Sequence, residues 1–193
     1  MSDPQGARWR AIVAGVLLLA GTGILQGARA LAERSHAQAT GDTSEKVRVA
    51  AAIRAKLPQV NEALSERIAS SVVRCQRDQS LAPDLVLAVL MTESSGRPGA
   101  RSSAGAIGLM QVMPYMYEEL ALPGSVSHVE ANIEAGCRLL ADNIKRLGED
   151  DGISAYCWGN TVGNDHYLRR VKKLRRDFLP YLVPEVASAR ISG

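Results

Sequence analysis

The chain has 193 residues, 46% of them hydrophobic and 4% aromatic, which suffices for one buried core with or without an appendage. Its formal net charge of +3 comes with no zinc-finger spacing and no RNP aromatics, so nucleic acid is not expected as a partner. No phosphate loop or dinucleotide fingerprint appears, which leaves nucleotide-dependent chemistry without a foothold.

At the N-terminus, Arg8 and Arg10 precede AIVAGVLLLAGTGIL, an uncharged run from Ala11 to Leu25. QGARALAE follows, with the small-x-small sequence Ala28, Arg29, Ala30. This pattern predicts a secretory signal peptide over residues 1–30. The run falls short of the ~20 residues of a full span, but extension through Ala28 brings it close. A retained membrane anchor over residues 11–28 is therefore the alternative to cleavage. Either way the rest of the chain is expected to be exported to the periplasm, with membrane contact only through this segment. Removing Arg8, Arg10, Arg29 and Asp3 from the 23 basic and 20 acidic residues leaves 20 and 19, nearly neutral. Residues 31–44, LAERSHAQATGDTS, are small, polar and unpatterned and read as a linker. The main domain is expected over residues 45–193.

That domain reads as helix after helix, with no alternating strand. NEALSERIASSVVRC sets Leu64, Ile68, Val72 and Cys75 on one face. Pro83 suits the first turn of the next helix, PDLVLAVLMTES, and Asp84 suits its positive end. NIEAGCRLLADNIKRLG aligns Ile133, Cys137, Leu140, Ile144 and Leu147 and stops at Gly148. ISAYCWGN is short and ends in turn residues. DHYLRRVKKLRRDFL aligns Leu168, Val171, Leu174 and Phe178. The cations Arg169, Arg170, Lys172, Lys173, Arg175 and Arg176 flank this stripe. They form either a solvated helix face or a surface for an anionic wall polymer or lipid headgroups.

Glu93 is the only acid in MTESSGRPGARSSAGAIGLMQVMP, residues 91–114. Val86, Val89, Leu90 and Glu93 share a helix face, so the carboxyl is expected to be desolvated and near the negative end of the helix dipole. Both effects raise its pKa, which is what a general acid needs. On periodicity alone, a partly exposed or salt-bridged helix-end glutamate is the competing reading. The segment that follows brings Gly105 and Gly108 three apart beside Ala104 and Ala106, so backbone can approach a ligand closely. Gln111 offers a donor and an acceptor, and Met110 and Met113 offer adaptable apolar surface. These suit a sugar polymer better than a metal or a phosphate. A glycine-rich turn with core methionines is the plainer alternative.

Several motifs occur in order: LAPDLVLAVLMTESSG, GAIGLMQVMP, NIEAG at 132–136 and AYCWGN at 155–160. Together they resemble the catalytic domain of the soluble lytic transglycosylase family over roughly residues 70–180. The resemblance implies a mainly α, lysozyme-like fold. It also implies cleavage of the β-1,4 bond between N-acetylmuramic acid and N-acetylglucosamine in peptidoglycan, with 1,6-anhydromuramyl products. Glu93 would be the catalytic residue, acid first and base second. Ser102, Gly108, Met110, Gln111 and Tyr156 would bind substrate, with Tyr156 hydrogen-bonding near the acid or the N-acetyl group. A packed helix residue is the alternative for Tyr156. Two departures stand out. Gly96 sits where the family has an aromatic, which would loosen the wall around the acid, and Cys157 replaces the family's asparagine.

The competing functions are hydrolysis by a goose-type lysozyme-like enzyme and an inactive peptidoglycan-binding scaffold of an envelope-spanning machine. Partners are expected to be glycan strands, with or without a secretion, pilus or flagellar machine; general wall turnover and a phage origin are equally compatible. No cofactor or metal is expected, because His36, His128 and His166 are scattered and no His-Glu-x-x-His pattern exists. A serine triad has no nucleophile elbow. Cys75, Cys137 and Cys157 form an odd set, and export permits one bridge. Cys75 and Cys137 lie on apolar stripes, and Cys157 is a candidate free thiol, but the sequence does not choose the pair.

Overall fold

The computed structural model describes residues 4–159 and 165–183, with side chains from residue 29 onward. The predicted export or anchor segment thus lies outside the residues whose side chains are described. Among the described residues no helix is long and apolar enough to cross a membrane. The chain divides into two compact units, Met1–Thr43 and Ser44–Gly193. In the first, residues 29–43 are helical and largely exposed, with an Arg29–Glu33 pair one turn apart. The stretch read as a linker is helical because it contains no proline and carries Ala32, Ala37 and Ala39, all strong helix formers.

All regular structure among the described residues is helical: α1 Pro4–Lys56, α2 Glu62–Gln79, α3 Pro83–Ser94, α4 Pro114–Glu119, α5 Val129–Leu147, α6 Glu149–Trp158 and α7 His166–Leu182. The mainly α expectation holds. α1 enters the second unit with Val49, Ala50, Ala52 and Ile53 fully buried. Asn61 caps α2, its Oδ1 accepting from the Leu64 N–H at 2.9 Å. Pro83 opens α3, and Gly148 closes α5.

α3 is the central element. Every residue from Leu85 to Leu90 is buried, so apolar side chains surround it rather than forming one stripe. It packs against α2 and α7, while α5 packs against α2 and α6. Arg175 of α7 donates through Nε to Asp84 at 2.7 Å and also pairs with Glu149 of α6. Four of the six cations in the α7 run are taken by acids: Arg169 by Asp165, Lys172 by Asp150, Lys173 by Asp177, and Arg175 as above. This pairing favours the solvated-face reading over an anion-binding one. The buried line on α7 starts one residue earlier than expected, at Tyr167, and continues through Val171 and Phe178, with Leu168 only half-buried.

Cys75 of α2 is bonded to Cys137 of α5, and Cys157 is free and exposed. Arg67 supports the same helix pair with a two-pronged contact to Glu130, Nε–Oε1 2.7 Å and Nη2–Oε2 2.8 Å.

Candidate active site

Glu93 stands in the last turn of α3, half-buried. Burial raises its pKa, opposed by a hydrogen bond from Tyr167 and by the charge of Arg170. The Tyr167 hydroxyl donates to Glu93 Oε1 at 2.6 Å. Tyr167 itself is pushed well above its ordinary pKa by burial and by the neighbouring Glu93 charge, so it stays a donor. The sequence reading missed this residue. Its available signal was one position: Tyr167 continues the Val171–Phe178 line better than Leu168 does.

The segment from residue 99 to 113 forms the opposite wall. It has no helix, yet Leu109 and Met110 are fully buried and Val112 nearly so, which folds it into the core. Backbone bridges Arg101–Ile107 and Ile107–Val112 knit it together. Asn132, buried on α5, holds it from behind. Its Oδ1 accepts from the Met110 N–H at 2.8 Å, and its Nδ2 donates to the carbonyls of Ile107 and Val126, each at 2.9 Å. Gly108 lies at φ +83°, and a Cβ there would meet the Asn132 amide at 2.5 Å. At Gly136 a Cβ would meet Met110 Cβ at 2.5 Å and the Tyr156 hydroxyl at 2.8 Å. Both glycines are thus required by close approach.

Three expectations need correction in this wall. Met110 does not line a cleft, because its side chain is fully buried against Gly136; its carbonyl instead accepts from the Tyr156 hydroxyl at 2.8 Å. Tyr156 therefore braces the loop with its hydroxyl instead of reaching Glu93, and Tyr167 occupies that place. Gly108 is buried behind the wall, filled by Asn132. Gly96 does not loosen the site either: Leu57 and Val60 pack against it, with Leu57 Cδ1 3.0 Å from a Cβ placed there.

The remaining predicted residues converge. Two clefts, each of about 550 Å³, share Glu93, Ser102 and Gln111 along their walls. One arm continues over Met113, Tyr115, Met116, Leu139 and Tyr156 to Cys157. The other continues over Gly99 and Ala100 to Arg97 and Arg101. The acid thus sits between two grooves, as an extended chain crossing it would require. Gln111, at φ +49°, spends its Nε2 on the carbonyls of Gly108 (2.9 Å) and Ala100 (3.3 Å). Its amide oxygen takes no hydrogen bond among the described residues. The Ser102 hydroxyl accepts from the Ala106 N–H at 3.0 Å and remains exposed. Cys157 is raised in pKa by burial and by Glu93, which holds it as a neutral thiol. Among the described residues, Glu93 is the only acid lining either arm. No cluster of metal-binding side chains occurs among the described residues.

Residues 72–175 match the family described as Transglycosylase SLT domain, and the chain belongs to that family. A curated relative, "Transglycosylase" of Enterobacteria phage PRD1, is 32% identical over 124 residues. That match takes in 59% of this chain and 46% of the relative, so the chain spans about half the length of the relative it matches. Among solved structures, an inactive mutant of the lytic transglycosylase Slt from Pseudomonas aeruginosa is similar at 20% identity and TM-score 0.45, over 68% of this chain and 24% of that one. The 70 kDa soluble lytic transglycosylase from Escherichia coli is similar at 21% identity and TM-score 0.42, over 63% of this chain and 21% of that one.

Proposed function

We propose that this protein is a peptidoglycan lytic transglycosylase acting outside the cytoplasm, with Glu93 as its acid and then its base. The observation that carries the reading is a pKa-raised carboxyl where two grooves meet, with no second acid lining either among the described residues. A hydrolase of the two-carboxylate kind needs a second group to activate water or attack the sugar. An internal sugar nucleophile needs none.

Tyr167 donates to Oε1, so the acidic proton of neutral Glu93 belongs on Oε2. That proton passes to the glycosidic oxygen as the bond from C1 of N-acetylmuramic acid to the leaving N-acetylglucosamine breaks. The developing oxocarbenium charge is met by the newly formed carboxylate and the substrate's own N-acetyl oxygen. The C6 hydroxyl then attacks C1 and returns its proton to Glu93, closing the 1,6-anhydro ring. No water is consumed and the enzyme ends as it began. Ser102 and the Gln111 amide oxygen line the groove on both sides of the acid and serve as partners for sugar hydroxyl and acetamido N–H groups. Met110 and Gly108 act from behind, by holding the wall, while Tyr156 lines the groove and braces the wall through its hydroxyl.

Mass spectrometry of products released from purified sacculi tests this reading. Anhydromuramyl ends, lighter by one water than reducing ends, are expected; reducing ends would move the assignment to hydrolysis. Glu93→Gln is expected to lower the rate by about 10³-fold or more while leaving the fold intact. Wild-type activity in this variant would turn the reading toward a binding scaffold.

A further inference from the structure

The family match begins at residue 72, yet the chain before it is built into the core. Val49, Ala50, Ala52 and Ile53 of α1 are fully buried, and Leu57 and Val60 just after it nearly so. Residues 57–60, LPQV, join α1 to α2 as a single turn. The Val60 N–H donates to the Leu57 carbonyl at 2.9 Å, and Pro58 fixes a backbone angle inside the turn. Asn61 then caps α2. The turn is thus held between two packed helices and has little freedom of its own.

This turn touches the end of α3, just past the acid. The chain reverses there through Ser95 and Gly96, at φ +52° and +77°. Gln59 Nε2 donates to the Ser95 carbonyl at 2.7 Å, one of the groups a helix end leaves without an internal partner. A Cβ on Gly96 would meet Leu57 Cδ1 at 3.0 Å and Val60 Cγ2 at 3.2 Å, so two apolar side chains close directly on backbone. From the other side, the Tyr167 hydroxyl holds Glu93 itself at 2.6 Å. Helix ends fray where their last carbonyls lack partners, and a frayed last turn of α3 would carry the carboxyl away from its place between the grooves.

We propose that Leu57, Gln59 and Val60 are positioning residues for Glu93: a turn outside the family-matched region clamps the end of α3 and so sets where the acid stands. The three side chains line neither groove and act through Ser95 and Gly96. The proposal rests on Glu93 as the acid, so its test has one arm that reads catalysis and one that does not. Gln59→Leu, Gln59→Lys, Leu57→Ala and Val49→Ala are made in the full chain. The first arm measures kcat and KM on soluble glycan strands, well below the Tm of every variant. The second measures hydrogen exchange of the peptide spanning residues 91–97 by mass spectrometry.

Gln59 is exposed, so Gln59→Leu is expected to leave Tm nearly unchanged. Its kcat is expected to fall about tenfold at constant KM, and exchange over 91–97 to quicken about tenfold. Gln59→Lys returns a donor and should recover most of both. Leu57→Ala and Val49→Ala each remove buried methyl groups and lower Tm, but Leu57 touches Gly96 and Val49 is not among the side chains nearest to it. Leu57→Ala alone of these two is expected to lower kcat and quicken the exchange. Unchanged kcat and exchange in Gln59→Leu, no recovery in Gln59→Lys, or equal losses of kcat in Leu57→Ala and Val49→Ala would each overturn the clamp. If wild-type protein releases no product from sacculi, the catalytic reading fails. Faster exchange in Gln59→Leu and Leu57→Ala but not in Val49→Ala would then still establish the clamp, and its absence would end both.

Discussion

At the scale of single residues, Glu93 is defined by the balance between burial and one hydrogen bond. Burial raises its pKa; the Tyr167 hydroxyl and the Arg170 charge pull it back. In the unfolded chain neither effect operates, so the folded protein holds the proton more tightly than the unfolded one. The stability this provides is complete at low pH and is lost as pH rises through the raised folded pKa. Glu93→Gln removes that loss. The Tm of the variant minus that of wild type is therefore expected to grow as pH rises above the ordinary carboxylate range, measured by calorimetry. A difference independent of pH would contradict the raised pKa. Tyr167→Phe has a distinct signature, because it deletes the donor that favours the carboxylate. The basic limb of its pH–rate profile should move to higher pH. Its rate should fall by about 10- to 100-fold as the carboxyl loses its anchor.

At the scale of elements, α3 and α7 form an antiparallel pair fastened at both ends: Asp84 to Arg175 at one, Glu93 to Tyr167 at the other. Sliding α7 along α3 would break both contacts, so helix register sets the geometry of the acid. The loop from 99 to 113 depends in the same way on α5. Asn132→Ala leaves the Met110 N–H and two carbonyls without partners, and is expected to cost about 2–4 kcal/mol in denaturant unfolding. Gly136→Ala adds a methyl where Met110 and Tyr156 already meet, with an expected cost of about 1–3 kcal/mol and a larger loss of activity than of stability. Such a split would be read by comparing residual activity well below the Tm with the change in Tm itself. Much of the helical frame was legible, because proline, caps and apolar spacing act locally. The wall loop was legible as a motif but not as a geometry. Nothing in GAIGLMQVMP itself says that Met110 turns inward while Gln111 faces the groove.

At the scale of the molecule, the Cys75–Cys137 bond closes a separation of 62 residues and ties α2 to α5, the helix that holds the wall loop. Loop-closure entropy makes such a link worth about 4 kcal/mol. Reduction is expected to lower stability by that order, measured by unfolding with and without reductant. Thiol titration should find one reactive group, Cys157, before reduction and three after reduction under denaturing conditions.

The sequence by itself determined the helical class, the family and the candidate acid, because helix signals and the ordered motifs are written within short stretches of chain. Which cysteines pair, which tyrosine touches Glu93 and which of Met110 and Gln111 faces the groove were decided only by tertiary structure. Each of those depends on residues far apart in sequence: Tyr167 lies 74 positions from Glu93, and Tyr156 lies 46 from Met110. Contacts of that span follow from how α3, α5 and α7 pack, and packing depends on volumes and registers that no local pattern encodes.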